Sequence, residues 1–402
     1  MKLYLLTSIY PSKYSVKGST PVVRYFVKEW AAKGHTIHVF RNSTCFPKLY
    51  YILGRPIKNL LDSKLGHLMP IQAPIEYDEQ MDGANVTYIN LKKYMPHGRF
   101  PDRQIDRAFN LISSWVEKEG IPDCFVGHWD NPQLELLNLL KDRFHRPVCL
   151  VYHSNQFSYL YSTYKRDTEK LVNGIDLVGF RNVTAQLEYE KLFGKPKNSF
   201  IAASGVSKPF IEAGASFERR IESVNSFVFV GSLIKRKFPI TILESLAVSF
   251  GETPFTLTYI GEGNEKENIQ VLFKEKNCKG FLKFTGRIPR NEVIDYLKQT
   301  DVFVMISRGE IFGLVYLEAM ALGCITIAAR HEGVDGIIED GINGFLCEAG
   351  NSEELASIIS RIRKMSSNEL NEISKKAKDT ANHYTDVKVA ESYINSIKSI
   401  LK

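Results

Sequence analysis

Short apolar runs alternate with helix-forming runs along most of the chain. In the first half, residues 2–9 and 36–40 have the length and composition of strands, and residues 21–33 between them have the pattern of a helix. In the second half, residues 226–230 and 255–260 repeat the strand pattern. This order of strand, helix and strand predicts an α/β fold with parallel sheets.

Length and composition narrow the class of protein. A chain of 402 residues exceeds one ordinary hydrophobic core and suits two domains. The apolar content of 44% and charged content of 24% are typical of a globular protein. No run reaches about 18 uncharged apolar residues. The first apolar run is shorter than a spanning helix and lacks the small-residue cleavage site of a signal peptide, so we expect it to form a first strand. Six cysteines without C-x-x-C spacing indicate a reducing compartment and no zinc site, so we expect a cytoplasmic protein.

The stretch Ser307–Ala329 (SRGEIFGLVYLEAMALGCITIAA) concentrates the features of a binding site. It follows a strand-like run, turns at Gly313 and continues as a helix from Leu314. The backbone N–H groups of Phe312, Gly313 and Leu314 lie near the start of that helix, where unpaired donors and the helix dipole favour an anion. A phosphate group would suit this position.

Two glutamates flank the start of this helix. Glu310 lies in the preceding loop, and Glu318 shares a stripe of the helix with apolar neighbours, where a carboxylate needs hydrogen-bond donors. Ligand hydroxyl groups would supply them. Taken singly, Glu310 suits a solvated loop and Glu318 an ion pair; taken together with the amides, they favour a ligand site.

The same stretch resembles the signature of retaining glycosyltransferases of family 4. In that family two glutamates, separated by seven residues, precede an Ala-Met-Ala-x-Gly helix end, which stands here at residues 319–323. The resemblance implies that Glu310 borders the donor sugar and contributes to catalysis. It also implies that Glu318 binds the ribose hydroxyls and that the intervening amides hold the diphosphate of a sugar nucleotide.

Two histidines are candidates in the first half. His128 and His153 each follow a strand-like run, and active sites of open α/β sheets lie at the carboxyl ends of strands. The family has a histidine after this second strand, close to the donor sugar, so the resemblance implies a catalytic role for His153. We expect His128 on the acceptor side. Gly18 matches part of the family's glycine turn, which approaches the donor phosphates or the acceptor.

A basic loop after the strand-like run 226–230 is the second donor-binding element. Lys237 matches a family lysine that contacts the diphosphate. Ser232 replaces the arginine of many members, so we expect Arg236 to act in its place, while Phe238 stands where glycine is frequent. The family contacts the nucleotide base through a further segment, which here consists of Gly286, Arg287 and Ile288.

By resemblance, the fold is GT-B, with two Rossmann-like domains that face a cleft. We assign residues 1–203 and 386–402 to an N-terminal acceptor-binding domain and residues 204–385 to a C-terminal nucleotide-sugar-binding domain. The last helical run has one apolar face, and in the family this helix crosses back to the first domain. We place the boundary near Ser204.

The positive charge lies entirely in the first half. Residues 1–203 hold 27 Lys and Arg against 19 Asp and Glu, whereas residues 204–402 hold 25 against 26. Residues 48–66 interleave cationic and aromatic side chains, a pattern that suits either an anionic membrane surface or a core helix with a basic outer face. We favour membrane contact through this segment over nucleic-acid binding, because no recognition motif accompanies the charge.

These observations predict a retaining hexosyltransferase. It would move a sugar from a nucleoside diphosphate donor, with UDP favoured, to a glycan or glycolipid in bacterial surface polysaccharide biosynthesis, at or near the inner face of the membrane. We expect no metal ion and no other cofactor. The alternatives are a sugar-nucleotide epimerase of the same fold and a non-catalytic nucleotide-sugar-binding protein.

Overall fold

The structure is a computed structural model that describes residues 1–12, 14, 22–46, 76–94 and 98–401. The chain divides into two compact units. Unit 1 comprises Met1–Arg181, Ala185–Ala202 and Ala390–Lys402, and unit 2 comprises Asn182–Thr184 and Ala203–Val389. Gly18 and the segment 48–66, for which the sequence predicted donor and membrane contacts, lie outside the described residues.

Unit 1 contains a mostly parallel sheet. Its strands are β1 (Lys2–Thr7), β2 (Thr36–Cys45), β3 (Glu76–Met81), β4 (Ala84–Lys92), β5 (Cys124–His128), β6 (Val148–Val151), β7 (Leu177–Phe180) and β8 (Ser199–Ile201). Within the described ranges they form eight strands in the order β3-β4-β2-β1-β5-β6-β7-β8, and only β3 pairs antiparallel. The sheet order reverses at β1, whose neighbours are β2 and β5.

The helices that belong to unit 1 wholly or in large part follow the same chain order. They are α1 (Val22–Ala32), α2 (Asp102–Glu119), α3 (Gln133–Phe144), α4 (Tyr159–Tyr164), α5 (Thr168–Asn173) and α6 (Val183–Phe193). Five of the six residues of β1 are buried, as expected for a parallel strand covered on both faces. Its Tyr4, Leu6 and the helix residues Ile112 and Leu137 belong to one hydrophobic core.

Unit 2 contains a second parallel sheet. Its strands are β9 (Ser226–Val230), β10 (Phe255–Ile260), β11 (Gly280–Gly286), β12 (Val302–Met305), β13 (Ile325–Ala329) and β14 (Phe345–Cys347). Their order is β11-β10-β9-β12-β13-β14, and every pair is parallel. The order reverses at β9, between β10 and β12, which is where ligands bind in open sheets of this kind.

The helices of unit 2 begin with α7 and end with the last helix of the chain. They are α7 (Lys208–Ala215), α8 (Pro239–Phe250), α9 (Lys266–Glu275), α10 (Val293–Lys298), α11 (Leu314–Ala321), α12 (Ser352–Lys364), α13 (Ser367–His383) and α14 (Asp386–Lys398). α14 starts in unit 2, and its residues from Ala390 belong to unit 1. The sheet of unit 2, and the sheet of unit 1 apart from the pair of β3 and β4, therefore have the parallel architecture that the alternating pattern predicted.

Candidate functional site

A cavity of about 290 Å³ opens at the carboxyl edge of the sheet of unit 2. It is lined by the residues that follow three neighbouring strands and by one face of α11. These are Val230, Gly231, Ser232, Ile260, Gly261, Glu262, Arg287, Ile288, Arg290, Val293, Val315 and Glu318. Three residues that the sequence predicted for donor binding, Arg287, Ile288 and Glu318, lie together in its wall. The cavity occupies the place where this sheet order predicts a ligand.

Backbone forms part of the cavity wall because glycines allow two turns to meet. Gly261 has φ 139°, and a Cβ atom there would lie 2.0 Å from the carbonyl oxygen of Gly231. Its N–H donates to the carbonyl of Gly286, and the N–H of Gly231 donates to that of Ile260. Any larger side chain at Gly261 would push the turns after β9 and β10 apart.

Glu318 and Arg290 form an ion pair in the cavity wall. Glu318 is 4% exposed, and its Oε1 accepts a hydrogen bond from Nε of Arg290 at 2.5 Å; Nη2 of Arg290 contacts the same oxygen. Arg290 also lies 5.9 Å from the centre of the Phe210 ring. The hydrogen-bond donor that a carboxylate on this apolar stripe requires is therefore supplied by the protein itself.

The pKa of the buried Glu318 carboxyl lies close to neutral pH. Burial raises the pKa of the Glu318 carboxyl to about 7, and the charge and hydrogen bond of Arg290 oppose that increase. Asp386 raises the pKa further. The charge of Glu318 therefore changes near pH 7.

Glu318→Gln is expected to change the pH dependence of stability. The unfolded chain ionises this carboxyl near its ordinary pKa, whereas the folded protein holds the proton until about pH 7. The native state therefore binds more protons between these values, and the free energy of unfolding falls as pH rises through them. The difference in free energy of unfolding between the Gln variant and the wild type should therefore shift by about 3 kcal/mol in favour of the variant from pH 4 to pH 8. Urea unfolding at several pH values measures this gain; a constant difference would contradict it.

Lys237 and Glu310 form a second ion pair. Nζ of Lys237 lies 3.4 Å from Oε2 of Glu310, and both side chains are about 15% exposed. Lys237 ends the 3-10 turn Lys235–Lys237, and its ammonium group lies beside Gly231 of the cavity wall. The two predicted charged residues are thus brought together near the end of β9.

Glu332 fixes the loop that carries Glu310. Its two carboxylate oxygens accept from the backbone N–H groups of Gly309, at 2.9 Å, and Glu310, at 2.8 Å. The N–H of Gly333 donates to the carbonyl of Glu310 at 2.9 Å. No role for Glu332 was predicted from the sequence, because it lies 22 residues from Glu310 along the chain and only the fold brings the two together.

The residue directly before α11, Gly313, adopts the left-handed conformation that glycine allows. Gly313 adopts φ 73° immediately before Leu314, and a Cβ atom there would lie 2.3 Å from the Tyr316 ring. Phe312 is buried, with 5% exposure. The three predicted amides stand at the beginning of an eight-residue helix, one turn before Glu318.

Six described residues that the sequence predicted for donor binding are not among those that line the cavity. They are Lys237 and residues 312–314, described above, and Arg236 and Gly286. Arg236 is exposed, and its Nη1 donates to the carbonyl of Arg308 at 3.2 Å. The N–H of Arg308 donates in return to the carbonyl of Arg236 at 2.8 Å. Arg236 therefore joins two loops in this structure, and its action in place of the arginine that is missing at Ser232 stays a prediction. Gly286 ends β11 with φ 72°, next to the wall residue Glu262.

Unit 1 contains a hydrogen-bonded chain of side chains that ends at His153. Nδ1 of His128 lies 3.0 Å from Nε2 of His153, and Nε2 of His128 lies 3.3 Å from the hydroxyl of Tyr393 on α14. Trp129 stacks on the His153 ring with centroids 3.9 Å apart. The sequence analysis missed Trp129 and Tyr393; the aromatic residue directly after His128 was the available signal for the first.

Our assignment of His128 to the acceptor side is not supported. His128 has no exposed surface, so it supports His153 and does not line a ligand site. Burial lowers the pKa of His128 to about 3, and it also holds the pKa of His153 well below its ordinary value; Arg181 lowers both further. Both rings are therefore neutral at pH 7, and the hydrogen bond between them is one of neutral imidazoles.

Tyr393→Phe tests this chain of hydrogen bonds. The change keeps the ring packed edge-on against Phe26 and Trp30 but removes the hydroxyl partner of His128. We expect the free energy of unfolding to fall by about 1 kcal/mol, measured by urea unfolding. Tyr94→Phe, at a residue that is 68% exposed, is the matched control. Equal stability of the two variants would contradict the assigned hydrogen bond.

The described part of the chain contains neither a metal-binding cluster nor a membrane span. No group of three or more His, Cys, Asp or Glu side chains there is arranged to hold a metal ion. Among the helices of the same part, none combines the length and apolar character needed to span a membrane.

Residues 215–380 match the family model described as Glycosyl transferases group 1. This part contains the cavity and both ion pairs. An uncharacterized glycosyltransferase of Methanocaldococcus jannaschii is 26% identical over 62% of this chain and 67% of its own. The lipopolysaccharide core biosynthesis glycosyltransferase LpsE of Rhizobium meliloti is 32% identical over 33% of this chain and 38% of its own.

Solved structures extend the similarity over the whole chain. A glycosyltransferase from Rickettsia africae is 15% identical with a TM-score of 0.69, covering 100% of this chain and 98% of the other. Anabaena Alr3699/HepE in complex with UDP is 16% identical with a TM-score of 0.63, and each chain is covered completely. The fold is therefore the two-unit α/β architecture of GT-B glycosyltransferases. The family match and the relatives support a transferase of sugars.

Proposed function

We propose that this protein is a retaining glycosyltransferase of family 4 that transfers a hexose from a nucleoside diphosphate sugar. The observation that carries the proposal is the placement of two glutamates on either side of the start of α11. Glu318 lies in the wall of the cavity, and Glu310 pairs with Lys237 beside Gly231. Two carboxylates, one ammonium group and a helix N-terminus in one unit suit a ligand with hydroxyl groups at both ends and a diphosphate between them.

The proposed roles follow from the charge of each group. Glu318 accepts hydrogen bonds from the ribose hydroxyls in the cavity. Lys237 and the amides of residues 312–314 stabilise the charge that builds on the diphosphate as the bond to the sugar breaks, which is the interaction that transition-state stabilisation requires. Glu310 orients Lys237 and borders the sugar, and His153 on unit 1 contributes to catalysis as a neutral imidazole.

The substrates are proposed from more general observations. UDP is favoured as the nucleotide because the Anabaena protein of the same fold binds UDP. A glycan or glycolipid acceptor in bacterial surface polysaccharide synthesis is favoured because LpsE and AmsK of Erwinia amylovora are named for lipopolysaccharide core and amylovoran biosynthesis. We propose that the reaction takes place in the cytoplasm, at the inner face of the membrane, with no metal ion or cofactor required.

The test is a reaction panel with UDP-, GDP- and ADP-sugars. A transferase releases one nucleoside diphosphate slowly without acceptor and faster when a detergent extract of bacterial membranes is added. The NMR coupling constant of the new anomeric proton then reports retention or inversion. An inverted product would contradict the retaining mechanism. Conversion of the donor sugar without nucleotide release would indicate the epimerase, and binding without turnover the non-catalytic protein.

Membrane association has its own test. If the basic first half contacts anionic lipid, the protein should sediment with vesicles of phosphatidylglycerol, and the bound fraction should fall as salt is raised from about 0.05 to 0.5 M, because exposed charges are screened. Vesicles of phosphatidylcholine are the control. Equal sedimentation with both lipids, or none with either, would contradict the membrane contact.

A further inference from the structure

We propose that Arg290 is a positioning residue for nucleotide binding, which keeps the Glu318 carboxylate ionised and directed into the cavity and thereby sets the lower pH limit of binding. The inference rests on the proposed function, since it assigns to Glu318 the ribose of a nucleotide. It adds a residue that neither the sequence motif nor the similarity to other proteins singles out.

The geometry ties Arg290 to one side of Glu318. Arg290 begins a 3-10 turn directly after Pro289, between β11 and α10, and both side chains line the cavity. Its Nε and Nη2 both contact Oε1 of Glu318. The hydrogen bond from Nε and the ion-pair contact of Nη2, both on Oε1, hold the carboxylate in one orientation. The Glu318 side chain itself lines the cavity.

The charges around Glu318 come from several elements. Arg290 favours the ionised form from the turn after β11, and Asp386 at the start of α14 disfavours it. Arg287 and Glu262, from the ends of β11 and β10, face the same cavity. Because Glu318 is almost completely buried, its ionised form depends strongly on the cation in direct contact with it.

The protonation state decides what Glu318 can bind. An ionised carboxylate accepts hydrogen bonds through both oxygens, whereas a protonated one presents a donor in place of an acceptor. Burial already raises the pKa of Glu318 to about 7 with Arg290 in place, so removal of Arg290 must raise it further. A ribose with two hydroxyl donors would then meet a neutral acid at pH 7 and bind weakly.

The experiment measures nucleotide-sugar affinity between pH 6 and pH 8.5. UDP-glucose, GDP-mannose and ADP-glucose serve as probes, because their diphosphate does not titrate in this range. In the wild type, affinity should fall on the acid side of about pH 7. In Arg290→Met, the midpoint of this fall should rise by about one to three pH units. Affinity at the acid end should drop about tenfold each time the midpoint rises by about one on the pH scale.

Four matched variants and probes separate the inference from a general loss of structure. Arg290→Lys keeps the charge and should keep the midpoint within about 0.5 of its wild-type pH, because the cation remains beside the carboxylate. Glu318→Gln should bind weakly with no midpoint in this range. Arg220→Met removes an exposed cation of unit 2 that does not line the cavity, and should leave the midpoint in place. The wild type should bind the 2′-deoxyribose form of the probe more weakly than the ribose form, and in Glu318→Gln this difference in affinity should become small.

The outcomes distinguish the two proposals. If the wild type binds none of the probes, the proposed function fails and the inference falls with it. If the wild type binds a probe and Arg290→Met weakens binding equally at every pH, the proposed function stands and the positioning role of Arg290 is overturned. The same conclusion follows if Arg290→Met does not fold and Arg290→Lys moves the midpoint by about one pH unit or more.

Discussion

Lys237→Met is expected to reduce the rate of sugar release from the donor by about 10²- to 10³-fold, the effect of removing one preorganised donor to a developing anion. The physical reason is the position of its ammonium group, which is about 15% exposed, next to the backbone of Gly231 and 3.4 Å from Glu310. Methionine retains most of the length and volume of the side chain, so the loss should come from the charge. Steady-state kinetics with the donor found by the reaction panel measures the effect.

Lys235→Met is the control for this change. Lys235 belongs to the same 3-10 turn but its side chain is exposed. Its replacement should leave the rate within about twofold, because exposed charges contribute little when screened by solvent and salt. If both variants lose activity equally, the basic character of the turn matters and the particular position of Lys237 does not.

Glu310→Gln is expected to reduce the rate by a similar factor, on the order of 10²-fold or more. The substitution keeps the size of the side chain but removes the negative charge that pairs with Lys237 and, in the proposed mechanism, borders the sugar. Nucleotide affinity should change much less than the rate, because the cavity wall contains Glu318 and not Glu310. Parallel measurements of kcat and of nucleotide affinity separate the two effects.

Glu353→Gln, at an exposed position in the first turn of α12, is the control for loss of one acidic charge from unit 2. Unchanged activity of Glu310→Gln would remove Glu310 from the mechanism. A chain that only binds nucleotide sugars would have no activity for either variant to lose.

The sheet architecture could be predicted because buried parallel strands are continuous apolar runs. The structure confirms 226–230 and 255–260 as β9 and β10 with identical bounds, and it places β1 and α1 within a few residues of their predicted ends. The antiparallel pair of β3 and β4 was missed. The sequence of β3, EYDEQM, is polar and alternates between exposed and partly buried positions at the edge of the sheet, so it has no apolar run to indicate a strand.

The candidate site could be predicted only in part. The sequence showed that Glu318 needs a hydrogen-bond donor, but Arg290 is 28 residues away along the chain and only the fold brings the two together. The simpler interpretation, that Glu318 is an ion-pair partner, is correct. Glu318 also lines the cavity. Tyr393 was beyond reach for the same reason, since it lies 265 residues from His128.

Phe238 illustrates a local departure from the family pattern. It stands where the family frequently has glycine, and it adopts the left-handed conformation with φ 51°. Its ring packs against Gly350, where a Cβ atom would approach it to 2.6 Å, and lies 5.5 Å from the guanidinium group of Arg308. Phe238 therefore adopts a backbone conformation that usually favours glycine, while its ring is packed against neighbouring residues.

If the cavity of unit 2 binds a nucleoside diphosphate sugar, calorimetric titration of the purified protein with UDP-, GDP- and ADP-sugars should detect that binding. We expect measurable binding of one nucleotide sugar and preference for ribose over 2′-deoxyribose. In Glu318→Gln, binding should be weaker and most of that preference should be lost. Binding of none of them, or binding that Glu318→Gln leaves unchanged, would contradict the assignment of this cavity to the donor.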